Sequence, residues 1–501
     1  MTSKLETSRR PDTAVTTTTA TTHAGNHPLI SEARGWTGRT WALLLVLCGA
    51  LFLDALDISM VGVALPSIGA DLGMDPTALQ WIVSGYVLGY GGLLLLGGRA
   101  SDLLGRRRVF LAAVLVFGVA SVVTAVLSND LAIIALRFVK GVAAAFTVPA
   151  GLSIITTTFA EGPARNRALS IYTVSGASGF SLGLVFGGVL TELGWRATFL
   201  LPGPVALAIA AVAWRVVPRA AVPSFRLRDF DLLGAVTVTG ALLLTVFTVV
   251  EAPGRGWASA TTLGSAAVAL GLLVAFVLTE LRHPAPLVRL GILRSPSLVH
   301  ANVAGAVMFG CYAAFQFLVT LFLQDTLGWS PLSMALAFLP AGVLVAASSL
   351  HVDKLLAVVR TEVLIATGLT AFFAAYVLFF RVGLDLSYAA VLLPTMLLLG
   401  VGFAIAFPSI NAQATAGVAD DEQGLASGLV NTSVQVGGAI MMALVTAVLG
   451  SHAGEPGATG AAGALVGLHA GLQVIVGLTV VGVLVSALML YRGRRPRLAL
   501  D

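Results

Sequence analysis

The chain has 501 residues, 57% of them hydrophobic and 11% charged, with a formal net charge of +5 and a mean hydropathy of +0.94. Soluble domains carry about 25% charged residues, so this composition excludes a soluble globular protein. The basic excess does not point to nucleic acid once the charges are placed, as shown below. Two cysteines, Cys48 and Cys311, both inside apolar runs, indicate neither a disulfide framework nor a cysteine metal site. Three lysines against 26 arginines, with abundant Ala, Gly and Val, point to a GC-rich bacterial genome.

In chain order, residues 1–38 are polar, with Thr16–Thr19 and Thr21–Thr22 and no apolar stretch of the kind a cleavable signal needs. They are expected to form a disordered cytoplasmic tail. Fourteen apolar runs follow, at roughly 41–66, 79–98, 109–127, 130–158, 168–191, 197–217, 232–250, 261–279, 299–323, 332–350, 362–380, 386–410, 424–449 and 467–490. Runs of about 18 or more residues with few charges read as membrane helices. In lipid the backbone must satisfy its own hydrogen bonds, so the predicted class is all-α. The 55 glycines and 20 prolines interrupt several runs, which membranes tolerate where neighbouring helices or water re-satisfy the backbone.

With the amino terminus inside, the 29 lysines and arginines all fall in cytoplasmic tails and loops except five. Arg196, Arg255 and Arg381 fall outside, and Arg137 and Lys140 fall within the membrane. This positive-inside asymmetry accounts for the basic charge and predicts an even number of spans with both termini cytoplasmic.

The chain divides as six, two and six. After the 1–38 tail come a first six-helix bundle over 39–217, a basic linker over 218–296 carrying two extra helices, a second bundle over 297–491, and a tail over 492–501. The outer halves read as repeats. The loop His351–Arg360, with Asp353, Lys354 and Arg360, occupies the position in the second half that Gly98–Arg108 occupies in the first, without its glycines. No charge lies between Leu232 and Val250 or between Thr261 and Thr279, so the middle pair is expected to be a peripheral, lipid-facing hairpin.

Five stretches carry further information. The hook between the second and third spans reads Gly-Arg-Ala-Ser-Asp-Leu-Leu-Gly-Arg-Arg-Arg, fixing Gly98, Asp102, Gly105, Arg106, Arg107 and Arg108. Span one holds Leu56-Asp57-Ile58-Ser59 and ends Ala64-Leu65-Pro66, and span two opens Gln80-Trp81-Ile82-Val83-Ser84-Gly85-Tyr86. Span four carries Arg137-Phe138-Val139-Lys140-Gly141. Span five carries Gly179, Gly183, Gly187 and Gly188. A late stretch runs from Gly424 through Asn431 to Gln435. Together these resemble the major facilitator superfamily, and within it the fourteen-span drug–proton antiporters of the EmrB/QacA type, over essentially residues 39–491. The sequence departs from that pattern at Ser59 (usually Thr), Gly62 (usually Asn), Lys140 (usually Gln) and Leu184 (usually Pro).

The resemblance implies two six-helix bundles plus two extra central helices, alternating access in a bacterial inner membrane, and spans one and four lining a central cavity. In the hook, the glycines allow a tight turn and Asp102 is placed to accept from free amides at a helix amino terminus. The hook reads as a cytoplasmic gate latching onto the helix that begins near Gln423, or as a topology signal only. The span-five glycines recur every four residues and form a stripe suited to close helix packing, with no substrate contact assigned. Gly179-Phe180-Ser181-Leu182-Gly183 also satisfies a hydrolase elbow, but that motif needs a strand-to-helix turn, and this copy lies mid-helix.

Four charges lie well inside predicted spans: Asp54, Asp57, Arg137 and Lys140. Each costs roughly 2.5–3.5 kcal/mol at a helix centre, so they are expected to pair. At 1.5 Å per residue, Asp57 lies about 13 Å and Asp54 about 18 Å from Pro66, and Arg137 about 12 Å and Lys140 about 16 Å from Asn129. Matched depths predict an Asp57–Arg137 pair and an Asp54–Lys140 pair, with Asp57 exchanging protons. The cluster is either such a proton or substrate site or a purely structural ion-pair group. Asn431 and Gln435 share a helix face and serve either substrate or a neighbouring helix. Tyr86, Tyr90, Phe146, Phe180, Tyr312 and Phe315 are candidates for an aromatic lining.

The expected activity is proton-driven efflux of a hydrophobic small molecule: a drug, an antibiotic or a secondary metabolite. The expected partners are that substrate, protons and the lipid bilayer, with no cofactor, no nucleic acid and no ATP. The sequence has no Gly-x-x-x-x-Gly-Lys-Ser/Thr loop. Alternatives are a dedicated exporter of one lipid, siderophore or biosynthetic product, and, more remotely, a non-transporting membrane sensor.

Overall fold

The computed structural model describes residues 36–160, 162–219, 231–284, 286–348, 352–418, 422–452 and 460–494. Most of the expected amino-terminal tail, the stretch 220–230 of the basic linker, the start of the His351–Arg360 loop and residues 495–501 lie outside these residues. So do the side chains of Asp102 and Asp353 and those of the tail residues from 492 onward.

The first half is built from α1 (Gly38–Leu72), α2 (Pro76–Leu104), α3 (Arg106–Val126), α4 (Asp130–Thr158), α5 (Pro163–Leu193) and a sixth span made of α6 (Arg196–Leu200) and α7 (Pro202–Val216). Next come α8 (Leu232–Arg255) and α9 (Ala260–Arg282). The second half comprises α10 (Pro296–Leu321), which continues through a π-helical turn at Phe322–Thr326, α11 (Pro331–Ser348), the short α12 (Val352–Val358), α13 (Thr361–Phe379), α14 (Leu393–Thr415), α15 (Gln423–His452) and α16 (Gly460–Arg494). Among the described residues, fourteen helices are long and apolar enough to cross a membrane. The chain is a multi-pass membrane protein.

Helix ends follow local chemistry. Asp75 and Asn129 cap α2 and α4 by accepting from Ala78 N at 2.8 Å and Ala132 N at 2.9 Å. Gly105, at φ 93°, makes the turn between α2 and α3, a conformation open to glycine. Expected to end at Pro66, the first span instead continues to Leu72. A proline removes one amide from the ladder, and the helices packed around α1 on several sides let it continue through the gap.

In the first half α1 packs along α5 and α2 along α4, with α3 against α4 and α7. In the second half α10 packs along α15 and α16, α13 along α14, and α11 against α14. The halves meet where α2 meets α15, where α5 meets α11 and where α1 meets α10. Because the Arg106–Arg108 turn marks one end of the bundle, that end is called the arginine-rich end here. The middle pair differs in part from expectation. α9 touches the rest through α8 and is mostly uncovered, as a peripheral helix would be. α8, however, packs on both α2 and α15, and Thr239 Oγ1 donates to the Gly92 carbonyl at 3.3 Å.

Candidate functional site: a buried ion cluster behind an apolar cavity

The four intramembrane charges come together where α1 meets α4. The packing of α4 on α2 delivers them: at Gly141 the two backbones are in contact, and any Cβ there would overlap the Tyr86 carbonyl. This approach brings Arg137 Nε to the Ile82 carbonyl at 2.9 Å and sets the guanidinium over the Tyr86 ring, 4.5 Å from its centroid. Arg137 then donates to Asp57 Oδ2. The span-two stretch from Gln80 to Tyr86 therefore positions the arginine.

Lys140 corrects the sequence-based pairing. Its ammonium donates to Asp57 Oδ1, so Asp57 takes both cations and Asp54 takes neither. Lys140 is also covered by aromatic faces, with Nζ 4.6 Å from the Phe117 ring centroid and 5.5 Å from that of Phe199. Asp57, Arg137 and Lys140 are 0%, 1% and 0% exposed. A buried charge is tolerated when paired and hydrogen-bonded, and these three meet that condition. Asp54 does not: it is 4% exposed, and its Oδ2 has no hydrogen-bond partner. The nearby Tyr86 hydroxyl is likewise buried without a partner.

In front of this cluster, between the halves, lies a narrow cavity of about 40 Å³ that opens to the surface. Its wall is formed by Ile58, Gly62 and Leu65 of α1, Val83 and Val87 of α2, Phe180 of α5, Phe309, Tyr312, Ala313, Gln316 and Phe317 of α10, and Met442 of α15. α4 contributes nothing to this wall, which departs from the implied lining by spans one and four, and the charged cluster sits behind α1. Aromatic rings continue from the wall: Phe180 to Tyr312, then Tyr312 to Phe403, with centroids 6.1 Å apart in each case. Of the expected aromatic lining, Phe180 and Tyr312 are in place. Phe315 instead packs into the core of the second half against Tyr376 and Phe379.

Asn431 donates to the Ser427 carbonyl of its own helix at 3.0 Å. Gln435 packs where α15 crosses α2, so close that a Cβ at Gly91 would stand 2.8 Å from Gln435 Cβ. Neither residue is part of the wall of this cavity. Arg107, from the hook, donates to the Trp214 carbonyl of α7 and lies over its ring, a contact within the first half. Gly98 faces Pro149 of α4. Gly179, Gly183 and Gly187 face α1 and Gly188 faces α11, so the glycine stripe is a packing surface. Ser181, between the first two, sits mid-helix and donates back to the Ala177 carbonyl at 3.3 Å.

Sequence reasoning missed Gln316, Gln324 and Phe403. Gln316 lines the cavity, and Gln324 Nε2 crosses between the halves to the Val63 carbonyl at 2.9 Å. A neutral amide inside or beside an apolar run is costly in lipid unless bonded, and that signal was available at both glutamines.

Two groups of membrane helices facing each other across an apolar cavity, with paired charges buried behind one wall, define a membrane carrier. The chain belongs to the major facilitator superfamily: the profile of that description matches residues 47–442. It is 37% identical to the puromycin resistance protein pur8 of Streptomyces alboniger over 84% of this chain and 86% of that one. It is 36% identical to the cephamycin export protein CmcT of Amycolatopsis lactamdurans over 82% of this chain and 85% of that one. A probable actinorhodin transporter of Streptomyces coelicolor is 31% identical over 83% of this chain and 74% of that one. Among solved structures, the POT family transporter PepTSo shares the fold with a TM-score of 0.64 at 15% identity, over 90% of this chain and 99% of that one. A bacterial homologue of the human lysosomal transporter Spinster does so with a TM-score of 0.61 at 16% identity, over 92% and 98%.

Proposed function

We propose that this carrier exports a hydrophobic small molecule, such as an antibiotic or other secondary metabolite, in exchange for protons across a bacterial inner membrane. The observation that carries this reading is the cavity between the halves. Its wall is apolar and aromatic, with Gln316 the one amide in it, which suits a molecule that partitions into lipid. The names of the relatives, which speak of puromycin resistance and cephamycin export, support the same direction.

In this reading the halves over 39–217 and 297–491 rock against one another about the cavity, and the segment 218–296 supplies the extra pair. Both termini are cytoplasmic, by the charge asymmetry of the loops. The proton gradient is the energy source, with no cofactor and no ATP. Asp54, Asp57, Arg137 and Lys140 form the proton-coupled group, Asn431 and Gln435 serve the translocation path, and Asp102 latches the cytoplasmic gate. A second reading, a dedicated exporter of one biosynthetic product, is favoured by relatives each named for a single compound.

The test uses inverted membrane vesicles containing the full chain, energised by a proton gradient and offered puromycin or ethidium. Uptake that collapses with a protonophore is the expected result. Uptake driven by ATP in the presence of the protonophore, or no uptake of any compound in a broad panel, would overturn the reading. A response to one compound of the panel alone selects the dedicated exporter.

A further inference from the structure

Proton-driven transport needs a carboxyl group that gains and loses a proton inside the membrane, and the sequence-based pairing gives that role to Asp57. Its surroundings are unsuited to that task. One of its oxygens accepts from Arg137 and the other from Lys140. Protonation would break both ion pairs and leave two buried cations without a counter-ion.

Asp54 offers what Asp57 lacks. It sits one turn away on the same face of α1, almost wholly buried, with Oδ2 unpartnered. The ionisable groups close enough to act on it electrostatically are Asp57 from its own helix, Lys140 from α4, Tyr86 and Tyr90 from α2, and Tyr172 from α5. Cys48 follows along α1 beside Tyr172, and Arg137 is held by Asp57. Of the tyrosines, Tyr172 donates to the Val148 carbonyl, whereas the Tyr86 hydroxyl is unused.

Two opposed influences meet at this one carboxyl. Burial with a bare oxygen favours the neutral form. The trio of Asp57, Arg137 and Lys140 carries one surplus positive charge, which favours the ionised form. Tyr90 is partly exposed and lies toward the arginine-rich end from Tyr86.

We propose that Asp54 is the proton-carrying residue of this chain and that Asp57 is the fixed counter-ion that holds Arg137 and Lys140. The assignment rests on the proton-driven reading above. With the proton on Asp54, Lys140 stays on Asp57. When the O–H bond breaks and the proton leaves to water, the Asp54 carboxylate is left facing the Tyr86 hydroxyl and competing with Asp57 for the Lys140 ammonium. Movement of that ammonium pulls α4 relative to α1, which links the proton to the shape of the first half.

Infrared difference spectroscopy of the purified full-length protein in lipid nanodiscs, titrated with pH, reads protonated carboxyl groups directly and needs no substrate. The expected result is a titrating carboxyl C=O band that is lost in Asp54→Asn, shifted in frequency in Asp54→Glu, and retained in Asp57→Asn. A band that survives Asp54→Asn, or that Asp54→Glu leaves unshifted, would overturn the assignment. Should Asp57→Asn fail to fold, the two Asp54 variants carry the test alone. In proteoliposomes with ethidium as probe, Asp54→Asn is expected to lose gradient-driven accumulation and keep ethidium exchange. Normal accumulation by Asp54→Asn would also overturn the assignment. If the wild type moves no ethidium, the transport reading fails, and the spectra still decide Asp54.

Discussion

Gln316 of α10 occupies the space that Gly62 of α1 leaves open: a side chain begun at Gly62 would meet the Gln316 amide nitrogen at 3.2 Å. The resembled signature carries Asn at this position. Here the first half gives up its amide, and the second half supplies one to the same point of the cavity wall.

Restoring the signature should therefore harm this protein. Gly62→Asn is expected to cost about 1–3 kcal/mol through overpacking and to lower transport. Gly62→Asn combined with Gln316→Ala should recover most of the loss. Thermal unfolding in detergent with parallel vesicle uptake checks this, and additive effects of the two changes would refute the exchange.

The two cations on Asp57 are not equivalent. Arg137 also bonds the Ile82 carbonyl and stacks on Tyr86, whereas Lys140 has only Asp57 and two ring faces. Arg137→Gln is expected to cost about 3–5 kcal/mol, the range for breaking a buried pair, and Lys140→Gln less than half of that. A double-mutant cycle on thermal stability should find strong coupling of Lys140 to Asp57 and weaker coupling to Asp54.

At Gly183 the α1 backbone leaves no room. An added Cβ would overlap Ser59 Oγ and stand 2.6 Å from the Leu56 carbonyl, while at Gly264 on α9 nothing lies within 4 Å. Gly183→Ala should destabilise by about 1–3 kcal/mol, and Gly264→Ala should not. Comparing their unfolding temperatures checks the packing role of the stripe.

The Gln324 bond to Val63 joins the halves away from the arginine-rich end. Gln324→Ala is expected to remove about 1 kcal/mol from this closed contact. Cysteine labelling at the end opposite the arginine-rich one should rise several-fold in the variant, and unchanged labelling would show that the bond does not hold the halves together.

The helices were legible because a span must be long, apolar and nearly free of charge, and few other structures meet those conditions. The pairing of the buried charges was not. Depth along a helix is readable at a fixed rise per residue, but the rotation of α1 and α4 about their own axes is set by tertiary packing, here by the approach at Gly141. A flexible lysine stem easily spans the few ångströms that separate matched from mismatched depth, so Lys140 reached Asp57. Phe315 was misplaced for a related reason: an apolar ring carries no mark telling cavity from core. Gln316 and Gln324 did carry a mark, as amides in apolar surroundings, and their partners lay on other helices.

The wedge of α8 against α2 and α15 bears on how a molecule reaches the cavity. A lipid-dissolved compound need not pass through water; it can slip sideways between helices from the bilayer. At the α2–α15 seam it would meet a third helix, pinned by Thr239 to Gly92 and backed by α9. At the α5–α11 seam two helices meet without such a cover. Among the described residues the bundle is therefore covered by a third helix on one flank and not on the other. A compound arriving through the bilayer would meet the less obstructed approach between α5 and α11.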